Sequence, residues 1–301
     1  MLRSTDRTVS AAGIADPATC GEDVAGNLQR MISIAPAHCP DCADYHIANA
    51  AVRLLDRAPW KRARPALLDA LAPLLAEIGA SGSAPIDVVI AGSADTAALS
   101  TCGHAAWAAG DGIFRRTRFT VLDRCPSPLV LCDDYGARNG LKVHTEAVDL
   151  TSTAKAFPAD IIIVHHLLPF VAEDQVAGLL RRLGGWLKEG SRLVLWHDVA
   201  PREDEEPNRR VKAARIAEIK ARVGEGDIAI TEPADVFFAR LDRYIGAISE
   251  DPSSLAELES FEDLIASTGL AIHSLEVSPH SCPSRARRYL MIVAARRPLR
   301  S

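Results

Sequence analysis

The sequence predicts an α/β fold in which helices cover both faces of a doubly wound, mostly parallel β-sheet. Strand-like and helix-like stretches alternate between residues 87 and 197, and this alternation is typical of parallel strands joined by helical crossovers. The segment Asp160–His165 is almost continuously apolar, as expected of a strand that is covered on both faces. Helical periodicity earlier in the chain adds an N-terminal helical cap to this sheet domain.

The first part of the chain is expected to be distinct from the sheet domain. Residues 1–23 are polar and without hydrophobic periodicity, so we expect a loose arm there. The small-residue segment 79–85, GASGSAP, is a compositional break. We therefore expect residues 1–80 to form the arm and the helical cap, and residues 81–301 to form the sheet domain.

The individual elements follow from the period of the apolar residues. Between residues 39 and 78 these recur at spacings of three and four, which predicts two helices separated by Pro59 and Pro65. The predicted parallel strands are Asp87–Ala91, Arg118–Asp123, Lys142–Val148, Asp160–His165 and Arg192–His197. The helices predicted between them are Thr96–Gly110, Pro128–Asn139 and Gln175–Lys188. After an exposed loop at Pro201–Asn208, the sequence predicts helices at Arg210–Val223, Val236–Ile248 and Ser260–Ser267 and strands at Ala271–Val277 and Tyr289–Ala295.

Composition and charge exclude several functional classes. Hydrophobic residues make up 48% and charged residues 24% of the chain, which is typical of a globular protein. The net charge of −5 argues against nucleic acid as the partner, because phosphate binding needs a basic face. No apolar run is long enough to span a bilayer, and the N-terminus lacks a signal-peptide core. Seven scattered cysteines favour a reducing compartment. We therefore expect a cytoplasmic protein with a small-molecule partner and leave a homodimer open.

Polar residues follow each of the five predicted parallel strands at the point where the strand ends. Carboxyl ends of parallel strands meet at one edge of an open sheet, where ligands bind near the change in strand order. In chain order these residues are Gly92, Ser93, Ala94 and Asp95, then Asp123 and Arg124, then Asp149 and Leu150, then His165 and His166, and finally His197 and Asp198. The sequence therefore predicts a ligand site at this edge.

Asp123 is the most informative of these residues. A carboxylate at the tip of the second strand can accept hydrogen bonds from both ribose hydroxyls of an adenosine cofactor; capping the next helix is the alternative. Asp123 follows Gly92 by 31 residues (123 − 92). In a dinucleotide fingerprint the acidic residue follows the glycines by roughly 20 residues, and the loop Gly110–Gly112 accounts for the additional length here. Asp149 can bind the adenine amino group and Leu150 can pack on the ring, although Asp149 is equally consistent with an ordinary turn aspartate.

Cys39 and Cys42 have the C-x-x-C spacing of half a zinc site. A structural zinc normally needs four ligands, and the sequence contains no second C-x-x-C. His38 or His46 could complete the set. A helix that begins near Asp41 explains the same segment without a metal, so we expect no metal site.

Taken together and in order, five segments resemble the class I S-adenosylmethionine-dependent methyltransferases. These are VVIAGSADT (88–96), FTVLDRCPSPLVLC (119–132), AVDL (147–150), ADIIIVHHLLPF (159–170) and LLRRLGGWLKEGSRLVLWHDV (179–199). The resemblance covers about Ser81 to Pro298 and implies a Rossmann-like, seven-stranded mixed sheet whose last strand is antiparallel. It also implies S-adenosylmethionine as cofactor and a small molecule as acceptor. The helical N-terminal segment resembles the caps that cover the cofactor in such enzymes.

The resemblance also implies roles for individual residues. Cofactor contacts would come from Gly92, Ser93, Ala94, Asp123 and Asp149. From their positions at the strand ends, Arg124, Leu150 and His165 are further candidate cofactor contacts and His197 a candidate substrate contact, and Tyr45 and His46 of the cap are candidate substrate contacts. The family usually has an acidic residue where Ile90 stands and glycines where Ala94 and Thr96 stand. Asp95 compensates in our interpretation by binding the cofactor's ammonium group.

Methyl transfer requires the protein to position the acceptor and to remove its proton. His165 and His166 are the candidate catalytic bases, and we expect only one to face the cofactor because neighbours on an extended chain point to opposite sides. A sulfonium cyclase or lyase and a non-catalytic cofactor-binding protein are the alternative functions. A nicotinamide enzyme is disfavoured by the absent G-x-G-x-x-G, and a P-loop enzyme by the absent G-K-[ST].

Overall fold

The computed structural model describes residues 20–55, 58–199, 205–247, 258–279 and 288–296. Its strands are β1 (Ile86–Ala91), β2 (Thr117–Asp123), β3 (Lys142–Ala147), β4 (Ala159–His165), β5 (Leu187–Val199), β6 (Leu270–Pro279) and β7 (Arg288–Arg296). They form one sheet in the order β3-β2-β1-β4-β5-β7-β6. β1 to β5 pair in parallel, whereas β7 runs antiparallel to both of its neighbours. The structure thus confirms the predicted seven-stranded mixed sheet with an antiparallel last strand.

The helices surround this sheet and extend beyond one of its edges. They are α1 (Cys20–His38), α2 (Ala43–Leu55), α3 (Ala58–Ala80), α4 (Ala97–Ala108), α5 (Asp111–Arg116), α6 (Pro126–Arg138), α7 (Glu173–Trp186), α8 (Glu205–Gly224), α9 (Ala234–Ala247) and α10 (Leu258–Ser267). Short 3-10 helices occupy Pro40–Cys42 and Leu168–Phe170. In the part of the chain that the structure describes, no helix has the length and apolar character that a membrane span requires.

Two N-terminal predictions were wrong in detail. Residues 20–23, expected in the loose arm, begin α1, and Pro65, expected to separate two helices, lies inside α3 together with Pro73. Each internal proline costs a helix about 3 kcal/mol. Both prolines lie on the exposed side of α3, where water can bind the carbonyls that lose a partner. The opposite side buries three leucines (Leu67, Leu71 and Leu75), each worth about 1.5–3 kcal/mol, and this burial keeps the helix continuous.

Side chains of β4 alternate between the two faces of the sheet. Ile162 and Val164 pack with α7 and α10 on one face, while Ile161 and Ile163 pack with α3 and α4 on the other. Both faces are therefore buried, which explains the unbroken apolar run in the sequence.

A third core lies beyond the carboxyl ends of the strands and holds the cap together. It combines apolar residues of α1, α2, α8 and α9 with Leu131 of α6. Phe237 and Leu241 of α9 are fully buried there, so this predicted apolar helix is core. The cap thus consists of α1 and α2 together with a later pair of helices, and α3 packs on the sheet. The predicted domain boundary near residue 80 stays a prediction.

An ion-pair cluster joins the two halves of the cap. Asp44 of α2 accepts hydrogen bonds at 2.8 Å from Arg240 and from Arg243 of α9. Burial alone would raise the pKa of Asp44, but the bonds from Arg243 and Arg240 lower it. The negative charge of Asp44 therefore helps to hold α2 against α9.

We expect Leu71→Ala to lower the free energy of unfolding by about 2–5 kcal/mol, because it leaves a cavity between α3 and the sheet. Urea titration followed by circular dichroism measures this in a single transition. The control is Asp69→Ala on the exposed side of the same helix, with a change below about 0.5 kcal/mol. A separate early transition in Leu71→Ala, with the main transition unchanged, would contradict the assignment of α3 to the sheet.

Candidate functional site

The loop after β1 (residues 92–96) turns sharply at Gly92. The φ angle of Gly92 is 79°, in the left-handed region that favours glycine. A Cβ at this position would lie 2.7 Å from Cδ1 of Leu167, which follows β4. The N–H of Gly92 donates to the carbonyl of Leu122 at 2.8 Å and extends the pairing of β1 with β2. The one glycine of this loop is therefore required by both the turn and the close approach.

The carboxylate of Asp123 joins this loop to the end of β2. Its Oδ2 accepts the N–H of Ser93 at 2.8 Å, and its Oδ1 accepts the N–H of Cys125 at 2.7 Å. Burial raises the pKa of Asp123 even though these N–H groups stabilise the charged form. Cys125 directly precedes α6, which has no side-chain capping hydrogen bond, so this bond holds the residue before the helix and does not cap the helix itself. A carboxylate has about four lone-pair sites, so Asp123 can hold the loops and still accept bonds from a ligand.

Asp95 is buried at the end of the same loop, with 4% of its surface exposed. Its Oδ1 accepts the N–H of Ala97 at 2.7 Å, and its Oδ2 forms an ion pair with Arg53 of α2. The hydroxyl of Ser93 donates to the Asp95 carbonyl at 2.6 Å. Desolvation lowers the pKa of Arg53 to about 10, partly offset by Tyr45. A charged residue of the cap thus reaches the loop of the sheet.

Arg53 is not among the site residues predicted from the sequence. It is a lone basic residue between Val52 and Leu54 in the apolar end of α2, and that position was the available signal. Its partner Asp95 is 42 residues away (95 − 53), so spacing alone could not join the two.

Tyr45 lies at the centre of an aromatic cluster that we define as Tyr45, Phe170 and Tyr244. The Tyr45 ring is 5.0 Å from the Phe170 ring and 5.5 Å from the Tyr244 ring, in edge contacts. Burial raises the pKa of Tyr45, and the neighbouring Tyr244 and Asp123 act in the same direction. The cluster brings together α2, α9 and the segment after β4, next to the loops that hold Asp123. Phe170 and Tyr244 were not predicted.

His165 and His166 end β4 with their rings in contact. The ring centroids are 4.6 Å apart and the planes are nearly perpendicular, at 88°. The expectation that the two point to opposite sides was wrong, because His166 has a φ angle of 51° and is not extended. Its N–H donates to the carbonyl of Trp196 at 3.1 Å. Desolvation, followed by the nearby Arg53, lowers the pKa of His165 to about 3, so His165 is neutral at pH 7.

The remaining predicted site residues are spread more widely. Asp149 is exposed, and its Oδ1 accepts the N–H and hydroxyl of Thr151 at 2.8 and 2.7 Å; these bonds lower the pKa of Asp149. Leu150 is buried in the core, whereas Arg124 is exposed. His197 is buried and stacks on Phe261 of α10 at 5.3 Å.

Two of the predicted substrate residues therefore lie outside the central group. That group contains the loop of residues 92–96, Asp123, Tyr45 and His165, together with Arg53. His197 lies on the α10 side of the sheet, and His46 lies beside the thiols of Cys39 and Cys125. Their contacts with a substrate stay predictions, as do those of Ala94 with the cofactor.

Comparison with known proteins adds structures of similar general architecture. No family model and no curated protein matches the sequence. The N-methyltransferase NodS from Bradyrhizobium japonicum WM9, solved with S-adenosylhomocysteine, is 15% identical with a TM-score of 0.43, over 81% of this chain and 91% of that one. An O-methyltransferase family protein from Burkholderia thailandensis is 12% identical with a TM-score of 0.48, over 89% of this chain and 64% of that one.

A third solved structure has the same relation to this chain. The mitomycin 7-O-methyltransferase MmcR is 17% identical with a TM-score of 0.43, over 76% of this chain and 54% of that one. The chain thus spans nearly all of NodS but about half of MmcR. Because the identities are this low and the TM-scores fall below 0.5, the functional assignment depends on the residues of this site.

We expect the stability of the protein to fall as the pH drops below 6.5, in part because of His165. Its pKa is about 3 in the folded state and 6.5 in the reference state, so between these values the unfolded chain binds more protons. Stability should therefore rise with pH in this window, by up to about 1.4 kcal/mol per pH unit from this residue.

His165→Gln should flatten this dependence, which denaturant titrations at pH 4.5 to 7.5 measure. The matched control is His273→Gln, a change at an exposed histidine of β6, which should keep the wild-type slope. Equal slopes for all three proteins would contradict a buried, neutral His165.

Proposed function

We propose that this protein is an S-adenosylmethionine-dependent methyltransferase that acts on a small molecule. The ion pair between the buried Asp95 and the partly exposed Arg53, beside the turn that Asp123 anchors, carries this proposal. A cofactor with an amino-acid end and a nucleoside end needs opposite charges at one place and a carboxylate at another. The carboxyl edge of the sheet offers both, at the position where open α/β sheets bind ligands.

The residues present fit the cofactor at each of its polar ends. Asp95 offers a carboxylate to the ammonium group, and Arg53 offers a guanidinium to the carboxylate group, in the manner of charge-assisted hydrogen bonds. Asp123 offers its remaining lone pairs to the ribose hydroxyls. Asp149 and Leu150 are the proposed contacts of the adenine.

The two departures from the family pattern are compatible with this fit. Ile90 belongs to β1, and its side chain is fully buried in the core. The acidic residue that the family usually has at this position would therefore face apolar neighbours. Gly92 alone provides the left-handed turn. Thr96 is buried and directly precedes α4, where no left-handed angle occurs.

The aromatic cluster supports a small-molecule acceptor. Tyr45 and Tyr244 come from the cap, and Phe170 comes from the segment after β4, where it is half exposed (51%). We propose that these rings contact the acceptor and exclude water from the strand ends, since aromatic side chains combine large apolar area with few rotamers. A cap of this kind admits a small molecule more readily than a folded macromolecule. The cytoplasmic location and a possible homodimer stay predictions.

The cofactor supplies an electrophilic methyl group, which leaves proton removal to the protein. His165 has a pKa of about 3 and is a weak base at pH 7. We therefore propose His166 as the base that accepts the acceptor's proton at a ring nitrogen. The edge contact with His165 and the left-handed backbone hold its ring in place, and a backbone outlier of this kind is often found at active sites.

We expect Asp123→Asn to weaken S-adenosylhomocysteine binding about tenfold or more, because a hydrogen bond to a charged group contributes about 1.5–3 kcal/mol. Arg53→Met should weaken it to a similar degree, since it removes the charge that meets the cofactor's carboxylate. Isothermal titration calorimetry measures both dissociation constants, with circular dichroism to confirm folding.

The control for these variants is Asp235→Asn, at an exposed aspartate in the first turn of α9, which should bind as the wild type does. A wild-type protein without affinity for S-adenosylmethionine or S-adenosylhomocysteine would refute the proposed function.

Product analysis tests the chemistry. Incubation with S-adenosylmethionine and a panel of small phenols, amines and thiols should release S-adenosylhomocysteine and a methylated acceptor, as measured by mass spectrometry. We expect His166→Gln to lower turnover by about 100-fold or more while cofactor affinity is retained. Methylthioadenosine as the product would instead indicate a cyclase or lyase. Tight binding without turnover of any acceptor would indicate a non-catalytic binding protein.

A further inference from the structure

Three cysteines and one histidine meet where the cap contacts the sheet domain. Cys39 directly precedes the 3-10 helix before α2, and Cys42 is its last residue. His46 lies in the first turn of α2, and Cys125 follows β2. The C-x-x-C pair is visible in the sequence, whereas Cys125 is 86 residues from Cys39 (125 − 39) and is brought to the pair only by the fold. We call these four residues the thiol–imidazole cluster.

The ligand atoms of this cluster are close together. The thiols of Cys39 and Cys125 and a ring nitrogen of His46 all lie within 4.8 Å of one another. The thiol of Cys42 is in hydrogen-bonding contact with both of the other thiols. Cys39, His46 and Cys125 are buried, and Cys42 is partly exposed. No disulfide joins them, since all three are free cysteines.

His46 is the member whose surroundings need an explanation. It is 2% exposed, and neither of its ring nitrogens has a hydrogen-bond partner among the described residues. A buried polar group without a partner costs about 1–3 kcal/mol. A metal ion bound to one ring nitrogen would remove most of that cost.

We propose that Cys39, Cys42, Cys125 and His46 bind one zinc ion. Zinc favours four tetrahedral ligands of this kind, with Zn–S distances of about 2.3 Å and Zn–N distances of about 2.0–2.1 Å. Neighbouring ligand atoms of such a site lie roughly 3.8 Å apart, so movements of about 1 Å bring the ligand atoms of Cys39, Cys125 and His46 to that spacing. Cys42 already contacts the other two thiols and must turn its Sγ towards His46 to complete the site. Zinc replaces the three thiol protons, which pass to solvent, and nothing is oxidised or reduced.

The charge of the site is balanced within the structure. Three thiolates and one Zn²⁺ ion carry a net charge of −1. Arg124 lies close enough to Cys42, Cys125 and His46 to interact with each of them electrostatically, and its guanidinium offsets that charge. With four protein ligands the ion has no open position, which is typical of a structural site.

The position of the ion defines what it would do. Three of its ligands belong to the cap segment, and Cys125 stands two residues after Asp123 at the start of α6. The ion would therefore hold the N-terminus of α2, and with it Tyr45, close to the carboxyl end of β2. This inference goes beyond the proposed methyl transfer, because the site could hold zinc whether or not the protein binds S-adenosylmethionine.

The test is metal analysis of the full-length chain, produced with added zinc and purified with a reductant and without chelators. We expect about one zinc per chain by mass spectrometry of the digested protein, and cobalt replacement should give the visible bands of tetrahedral thiolate-bound Co²⁺. Cys125→Ala should lower the bound zinc about tenfold or more. The matched control is Cys102→Ala, a buried thiol of α4 outside the cluster, which should keep the metal.

Three results would overturn the proposal. One is a reduced wild-type protein that holds no zinc and gives no cobalt–thiolate bands. Another is a protein isolated without metal whose mass is lower by the two hydrogens of a disulfide between these cysteines. The third is an equal loss of zinc from Cys125→Ala and folded Cys102→Ala. If Cys125→Ala fails to fold, the metal content and cobalt spectrum of the wild type decide the matter.

Discussion

The site depends on one carboxylate that accepts two backbone N–H groups from different loops. Asp123 binds the N–H of Ser93 on one side and that of Cys125 on the other. The turn after β1 and the start of α6 are held together by it at the edge of the sheet. Gly92 and Asp95 lie within two residues of Ser93, and Cys125 is itself bonded to this carboxylate. A change in its geometry would displace all of them together.

The Arg53–Asp95 pair shows what the cap contributes. A buried ion pair is a poor source of stability, because the loss of hydration offsets much of the attraction. In the proposed function its value is chemical, because it places both signs of charge at the carboxyl edge of the sheet, with Asp95 buried and Arg53 partly exposed. Asp95 is also fixed by the N–H of Ala97, so one partner is rigid and the other, Arg53, comes from the cap. A ligand that carries an ammonium group and a carboxylate group can bind Asp95 with the first and Arg53 with the second, so that neither side chain loses a partner of opposite charge.

The sequence predicted the parts of the molecule that local chemistry controls. The β-strands, the polar residues at their ends and the need for Gly92 all follow from alternation, strand length and backbone freedom. Arg53, Phe170, Tyr244 and Cys125 could not be found in this way, because each acquires its role from a contact with a distant segment. The orientation of His165 and His166 was predicted wrongly for another reason. The prediction assumed that the extended backbone of β4 continues through His166, whereas His166 has a left-handed φ angle. Continuity of α3 through Pro65 was missed because burial of one side outweighs a local preference on the other.

The cap core is assembled from helices that are far apart in the chain. Ile47 of α2 and Phe237 of α9 share this core, although they are 190 residues apart (237 − 47). At roughly 5–20 residues per second on the ribosome, α9 is synthesised about 10–40 s after α2. During that interval α1 and α2 can pack on each other and on α6 but lack the part of the core that α8 and α9 provide, while the parallel strands can already pair. The order of synthesis therefore allows the parallel part of the sheet to form before the cap core can be completed.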